Sequence, residues 1–181
     1  MVRRRTFLAS SAAALAAPRI GLGAAAQPLK FIPQSDLTIT DPIVNTVYTV
    51  RNHGYMVFDT LFGLDSNYRI QPQMVDRVDT EDDGKRVKLR LREGLVWHDG
   101  EKVTARDCVA SIKRWAVRDG IGSLLMARTD ELSVIDDRTF QFRLKHRTGI
   151  LAYALGKIST PMCAIMPERL AATDPFKPVT E

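Results

Sequence analysis

Two adjacent residues, His98 and Asp99, have the side chains of a general acid–base pair. An imidazole beside a carboxylate can activate a nucleophile, so the pair could serve a hydrolase. Adjacent side chains on a turn point apart, however, and the sequence places no serine or cysteine nucleophile on a recognisable elbow. Asp99 is also followed by Gly100, and Asp-Gly is typical of a turn. The sequence therefore favours a structural role for both residues over catalysis.

No group of residues has the spacing of a metal or cofactor site. His53, His98 and His146 form no His-x-x-x-His pattern, and Cys108 and Cys163 form no Cys-x-x-Cys pattern. The sequence also has no glycine-rich phosphate loop and no Walker sequence. We therefore expect no metal and no cofactor. Two cysteines this far apart carry little geometric information, so a disulfide between them stays an open question.

A hairpin and a turn lead up to His98 and Asp99. Apolar and basic residues alternate from Val87 to Leu91, which predicts a strand with one face on the core and the other in water. Residues 81–84, Glu-Asp-Asp-Gly, have the composition of a turn and connect this strand to residues 77–79. Asp99-Gly100 predicts a second turn before the next element.

A capped helix follows that turn. Thr104 and Asp107 have the spacing of a capping box, in which the hydroxyl accepts from an early helical N–H and the carboxylate reaches back. Arg114 and Arg118 lie late in the helix, where cations oppose the helix dipole, and Gly120 suits its end. The apolar residues recur at helical spacing and predict one buried stripe: Cys108, Val109, Ile112, Trp115 and Ala116.

The rest of the chain mixes strands and helices without a regular βαβ order. We expect a strand at 29–33, helical turns in 44–62 that break near Asn52-His53-Gly54, a hairpin of 131–135 with 140–145, and short helices at 150–156 and from Pro167. The fold class is therefore α+β or mixed α/β.

The first 26 residues have the pattern of an export signal. An arginine pair is followed after one residue by Phe-Leu, and then by an alanine-rich run too short to span a bilayer. The residues of this twin-arginine pattern are Arg4, Arg5, Phe7 and Leu8. Small residues predict cleavage after Ala26, and no nearby cysteine could carry a lipid. We expect a soluble periplasmic protein exported by the twin-arginine machinery, with the Sec machinery as the alternative.

The positive charge of the chain belongs largely to this segment. Four arginines and no acidic residue lie before the cleavage point, so the formal charge falls from +5 to +1 once it is removed. No basic cluster interleaved with aromatic residues remains. Nucleic-acid binding is therefore excluded as an interpretation.

The stretch from Leu89 to Trp115 resembles the signature region of the family 5 extracellular solute-binding proteins. These proteins deliver peptides, nickel complexes and related solutes to ABC importers. The residues that carry the resemblance are Leu91, Arg92, Gly94, Trp97, His98, Asp99, Gly100, Val103, Thr104, Ala105, Asp107, Ser111 and Arg114.

The resemblance implies a periplasmic-binding-protein-like fold of type II, with two lobes and a subdomain inserted into the first. It assigns residues 1–26 to the signal, 27–44 to the first strand and loop of lobe I, 45–158 to the inserted α+β subdomain, and 159–181 to a segment returning to lobe I, with a strand at 159–164. Family members are much longer, so we expect an N-terminal portion with an incomplete first lobe.

The resemblance also implies a monomeric receptor that binds a solute without catalysis and docks on an ABC permease in the inner membrane. A peptide or opine-like solute is favoured over nickel. The candidate solute contacts lie in the polar loop after the first strand: Gln34, Asp36 and Asp41. The alternative for these three residues is an ordinary role in turns and caps. The signature residues are assigned to maintenance of the fold: Leu91, Gly94, Trp97, His98, Asp99, Gly100, Thr104, Asp107 and Ser111.

Two other functions stay as alternatives. One is a periplasmic hydrolase that uses His98 and Asp99. The other is an interaction fragment that binds no solute.

Overall fold

An antiparallel sheet of four strands and a long helix packed against it form the centre of the protein. The computed structural model describes residues 29–180, of which 33–180 belong to one compact unit. In chain order the helices and strands are α1 (Tyr48–Val57), β1 (Phe62–Leu64), β2 (Ile70–Pro72), β3 (Val75–Glu81), β4 (Arg86–Leu91), α2 (Ala105–Arg118), α3 (Gly120–Ala127), β5 (Thr129–Val134), β6 (Thr139–Leu144), α4 (Leu151–Leu155) and α5 (Glu168–Ala171).

The sheet has the strand order β3-β4-β6-β5, and all neighbouring strands are antiparallel. Leu89 of β4 lies opposite Phe140 of β6, and Val87 lies opposite Phe142, so large apolar side chains meet on one face. These four residues are buried, whereas Arg90 on the other face is exposed. The sheet therefore has a core face and a solvent face, as the alternation in the sequence predicts.

Both predicted hairpins are confirmed. β3 and β4 are joined through Asp82, Asp83 and Gly84, which have φ angles of 51°, 52° and 83°. β5 and β6 form the second hairpin, whose turn includes a hydrogen bond of 2.8 Å from the Arg138 N–H to the Asp136 carboxylate. Aspartate forms such turns because its side chain can bond to its own backbone.

The predicted helix after the signature turn is also confirmed. α2 begins after Thr104 and ends at Arg118, and all five residues of its predicted apolar stripe are buried. The indole N–H of Trp115 donates a 2.9 Å hydrogen bond to the Pro161 carbonyl. The helix thus packs on the sheet and also holds the chain after residue 160.

Three predicted elements differ from the structure. Residues 29–33 form no strand, because they have no strand neighbour among the described residues and their side chains are exposed. The chain between 159 and 164 is not a strand either, and only the single bridge of Asp59 with Ile165 forms nearby. α1 continues through Asn52-His53-Gly54 without a break. Gly54 serves a close approach, since a Cβ there would lie 2.8 Å from the Pro42 Cβ.

The predicted export signal at 1–26 lies outside the described residues, so its arginine pair and its cleavage point stay predictions. Over residues 29–180, no helix combines the length and the apolar character that crossing a bilayer requires.

Gly122 marks a tight contact between α3 and the end of α2. A Cβ at this position would lie 2.8 Å from the Ala116 Cα and 2.9 Å from the Trp115 ring, whereas a Cβ at Gly120 would have no neighbour within 4 Å. We expect Gly122→Ala to lower the free energy of unfolding by about 1–3 kcal/mol, because the ring or the backbone must shift.

Gly120→Ala is the matched control in the same helix. It should change the free energy of unfolding by at most about 1 kcal/mol, in the stabilising direction. Urea denaturation followed by circular dichroism measures both variants. Equal effects at the two positions would contradict the packing argument.

Candidate functional site

The signature turn between β4 and α2 is held by its own backbone. The Trp97 N–H donates to the Glu101 carbonyl at 2.8 Å, and the Gly100 N–H donates to the Trp97 carbonyl at 3.0 Å. The Asp99 carboxylate accepts from the Glu101 N–H at 3.0 Å. Gly94 and Gly100 have φ angles of 78° and 89°, in the left-handed region that favours glycine. These contacts hold the backbone of the turn in one conformation.

Thr104 and Asp107 form the predicted capping box. The Thr104 N–H donates to one Asp107 carboxylate oxygen at 2.7 Å, and the Asp107 N–H donates to the Thr104 hydroxyl at 3.4 Å. The other Asp107 oxygen accepts from the Glu168 N–H at 2.7 Å. One carboxylate therefore caps α2 and holds the start of α5.

Ser111 fixes α2 to Met166, two residues before α5. Its hydroxyl donates to the Met166 carbonyl at 3.1 Å and accepts from the Met166 N–H at 3.0 Å. Both backbone groups of Met166 are thus satisfied inside the protein by one buried side chain. Ser111 therefore links α2 to the chain before α5, and its assignment to maintenance of the fold stays a prediction.

A groove of about 460 Å³ opens beside the signature turn. Residues 95–99 of the turn form one wall, and Pro167, Arg169 and Leu170 form part of another. Its surface is mostly apolar, and the polar side chains in its lining are Asp59, His98, Asp99 and Arg169. Sequence reasoning did not bring Asp59 or Arg169 to this turn, because both are distant from it along the chain.

The groove offers a binding surface but no nucleophile of the usual kinds. Its lining contains no serine, threonine or cysteine. His98 and Asp99 are exposed, and the Asp99 carboxylate lies 3.6 Å from the Arg169 guanidinium. This geometry gives the hydrolase alternative no support. The groove wall is mostly apolar and carries a few charged groups, so it suits the binding of an apolar part of a ligand. Across residues 29–180, no cluster of three or more histidine, cysteine or acidic side chains is arranged to hold a metal ion.

Asp41 and Arg114 form a buried ion pair, with side-chain exposures of 0% and 1%. Arg114 Nη2 donates to Asp41 Oδ2 at 2.8 Å, and Nη1 donates to Oδ1 at 3.3 Å. The backbone N–H groups of Ile43 and Val179 also donate to the Asp41 carboxylate, at 2.9 and 3.0 Å. The carboxylate is fully occupied by protein donors, which favours a structural role for Asp41 over the predicted solute contact.

The other two candidate solute residues, Gln34 and Asp36, are exposed and lie in an irregular segment. A 3.2 Å hydrogen bond between the hydroxyls of Ser35 and Thr49 joins this segment to α1. Among residues 29–180, no side chain is hydrogen-bonded or ion-paired to Gln34 or Asp36. Their contact with a solute stays a prediction.

A second buried ion pair joins Lys157 to Asp119. The other oxygen of Asp119 accepts from the N–H groups of Ile121 and Gly122, both at 2.9 Å, and so caps α3. The pair links the chain just after α4 to the start of α3.

Cys108 and Cys163 are free, buried thiols. Burial raises the pKa of both thiols. Because the thiolate is the reactive form, both sulfur atoms act as apolar packing groups.

The pH dependence of stability follows from the Asp41 site. Burial alone raises the pKa of the Asp41 carboxyl, but the Arg114 hydrogen bonds, the Ile43 and Val179 N–H groups and the guanidinium charge together lower it below 3.8. Because the pKa of Asp41 is lower in the folded state than in the unfolded state, its carboxylate stabilises the folded protein at pH values above the unfolded-state pKa. This stabilisation is lost as the pH falls through the folded-state pKa.

We therefore expect the urea midpoint of the protein to fall as the pH drops below about 4, the ordinary pKa of an aspartate carboxyl, with a shallower fall in Asp41→Asn. Exposed carboxylates that titrate in the same range are common to both proteins and cancel in the comparison. Identical slopes would show that Asp41 is not the linked group.

Sequence reasoning missed both buried pairs. It assigned Arg114 to the helix dipole, yet Arg114 lies on the same helical face as Asp107 and Ser111, at spacings of seven and three residues. That spacing was the available signal for burial, since a charged residue on a buried face requires a partner. The identity of the partner, 73 residues away, had no signal in the sequence.

Comparison with known proteins shows which family this chain resembles. A model of the bacterial extracellular solute-binding proteins, family 5, middle region, matches residues 69–180. The probable peptide ABC transporter periplasmic-binding protein y4tO of Sinorhizobium fredii is 40% identical over 183 residues. That alignment covers 98% of this chain and 34% of y4tO, so the chain spans about a third of the length of this relative.

Two solved structures share the fold. AgaA from A. tumefaciens R10, in complex with agropinic acid, matches with a TM-score of 0.63 and 20% identity, over 80% of this chain and 29% of AgaA. The oligopeptide-binding protein AppA from Bacillus subtilis, in complex with a nonapeptide, matches with a TM-score of 0.63 and 19% identity, over 78% of this chain and 28% of AppA. The predicted mixed α/β fold of the periplasmic-binding-protein type is confirmed, and this chain corresponds to part of it.

Proposed function

The chain belongs to family 5 of the bacterial extracellular solute-binding proteins, and we propose that it supplies part of the solute receptor of an ABC importer. The observation that carries the proposal is the family match over residues 69–180. This range includes the whole signature turn, the capping box and α2.

The proposed activity is binding without a chemical step. A receptor of this kind shifts between an open and a closed form, and the solute stabilises the closed form by its higher affinity for it. The closed form would dock on the permease in the inner membrane, and ATP would be hydrolysed elsewhere.

The proposed solute is a peptide or an opine-like compound. The relative y4tO is described as a probable peptide transporter component, AppA was solved with a nonapeptide, and AgaA was solved with agropinic acid. Gln34 and Asp36 are the proposed contacts, since an amide and a carboxylate on an exposed loop could pair with the polar ends of such solutes.

We further propose the domain arrangement that the family implies. Residues 27–44 and 159–181 would connect the inserted subdomain at 45–158 to lobe I of a longer receptor. Residues 1–26 would direct export to the periplasm.

A fusion of residues 1–40 to a reporter tests the export step: replacing Arg4 and Arg5 by lysine should block translocation by the twin-arginine machinery and leave Sec-dependent export intact.

A chimera tests the receptor function. Residues 29–180 would replace the matching segment of y4tO, and calorimetry would measure the binding of short peptides and opines to the chimera and to y4tO. We expect the chimera to bind a solute that intact y4tO binds, with a Kd within about tenfold.

Circular dichroism and thermal melting show whether the chimera has folded. A folded chimera that binds none of the solutes bound by y4tO would contradict the proposed function. Turnover of a peptide by the 181-residue chain, lost in His98→Gln, would favour the hydrolase instead.

A further inference from the structure

We propose, on the premise of the receptor function above, that Arg114 is a positioning residue that fixes the candidate solute loop through Asp41. The loop comprises residues 34–40. We use the word clasp for the cluster of Asp41, Arg114 and the backbone groups of Thr173, Lys177 and Val179 that bond to them.

The clasp joins two segments that are far apart in sequence. Arg114 Nε donates to the Thr173 carbonyl at 3.1 Å, and Nη2 donates to the Lys177 carbonyl at 2.8 Å. The same guanidinium holds the Asp41 carboxylate, which in turn accepts from the Val179 N–H at 3.0 Å. One arginine of the signature helix therefore holds the chain at residue 41 against the chain at 173–179.

The chemistry of the clasp is better suited to fixing the relative position of the two segments than to adding net stability. A buried ion pair gains little free energy relative to apolar residues of the same size, because two charges must leave water. Its hydrogen bonds are directional, however, and the planar guanidinium presents its donors in a fixed fork that an ammonium cannot reproduce. Both Asp41 oxygens are bonded, and so are both ends of the guanidinium. These bonds can form together at only one relative position of the two segments.

The candidate solute loop depends on this anchor. Residues 34–38 and Thr40 are exposed and residues 34–40 form no helix or strand, whereas Asp41 is the first fully buried residue that follows them. The loop holds Gln34 and Asp36, and the Ser35–Thr49 hydrogen bond joins it to α1. Arg114 thus acts on solute binding through Asp41, with no contact to the solute.

Residue-resolved hydrogen exchange by NMR on the full chain tests the clasp. In Asp41→Asn, one carboxylate oxygen becomes an NH₂ group, which cannot accept from a backbone N–H. We expect exchange at 38–44 and 171–180 to accelerate roughly ten- to hundredfold, while the amides of β4 and β6 change by less than about threefold. Arg114→Lys should open the same two segments, because lysine lacks the fork.

Lys157→Met is the matched control, since it removes the cation of the other buried pair and leaves the clasp intact. It should accelerate exchange in α3 and leave 171–180 unchanged. Uniform acceleration throughout the sheet in Asp41→Asn, or unchanged exchange at the Ile43 and Val179 amides, would overturn the clasp.

The solute readout uses the y4tO chimera. Asp41→Asn should raise the Kd for its solute at least about tenfold while Lys157→Met leaves it unchanged. An unchanged Kd in a folded Asp41→Asn chimera would overturn the positioning role. A chimera that binds no solute even without substitutions counts against the receptor function, and the exchange experiment then decides the clasp by itself.

Discussion

Replacing Arg114 by methionine is expected to lower the free energy of unfolding by about 3–5 kcal/mol. The substitution removes the cation but leaves the Asp41 carboxylate in a site where its side chain has no exposure to solvent. Two backbone carbonyls, of Thr173 and Lys177, also lose their donor. A buried charge without its partner is among the costliest changes in a folded protein.

Urea denaturation measures this effect, and a double-mutant cycle isolates its cause. The double variant with Asp41→Asn and Arg114→Met should be less destabilised than the sum of the single variants, because the uncompensated charge is gone. The control is Arg143→Met, whose ion pair with Glu131 at 3.1 Å is exposed and should be worth less than about 1 kcal/mol. Losses of equal size at Arg114 and Arg143 would contradict the argument from burial.

Trp115→Ala should cause a loss of similar size, about 3–5 kcal/mol, for a different reason. The indole is completely buried between α2, α3 and the chain after residue 160, so its removal leaves a large cavity. Trp115→Phe keeps most of the volume but leaves the Pro161 carbonyl without the indole N–H, and should cost about 1–3 kcal/mol.

The other tryptophan supplies the control. Trp97 is half-buried at the wall of the groove and packs on the edge of the core, so Trp97→Ala should destabilise the protein less than Trp115→Ala. The chain has only these two tryptophans, and each variant therefore retains one fluorophore for following unfolding. A larger loss at Trp97 than at Trp115 would show that the core is centred elsewhere.

The local elements of the fold could be predicted well, because their signals lie within a few residues. The alternation at Val87–Leu91, the Glu-Asp-Asp-Gly turn and the Thr104–Asp107 box each determine a structure over a span shorter than one element. The signature residues also indicated the family, which the match over residues 69–180 confirms. The predicted break of α1 near Gly54 was wrong because glycine there serves contact with Pro42 and Met162, and a helix tolerates a single glycine when packing requires it.

The candidate site could be predicted only in part. His98 and Asp99 were identified as a structural turn, but the groove beside them also requires Asp59 and Arg169, which come from other parts of the chain. Asp41 was interpreted as a loop residue facing a solute, and its burial depends on Arg114 and on Val179, at the far end of the chain.

The sequence by itself determined the hairpins, the capped helix and the family, since neighbouring side chains and backbone groups set those conformations directly. Only the tertiary structure decided that β4 pairs with β6, that 29–33 forms no strand, and that Asp41 binds Arg114. The physical reason is that a strand or a buried charge is stable only with a partner. When that partner lies many residues away, only packing of the whole chain selects it.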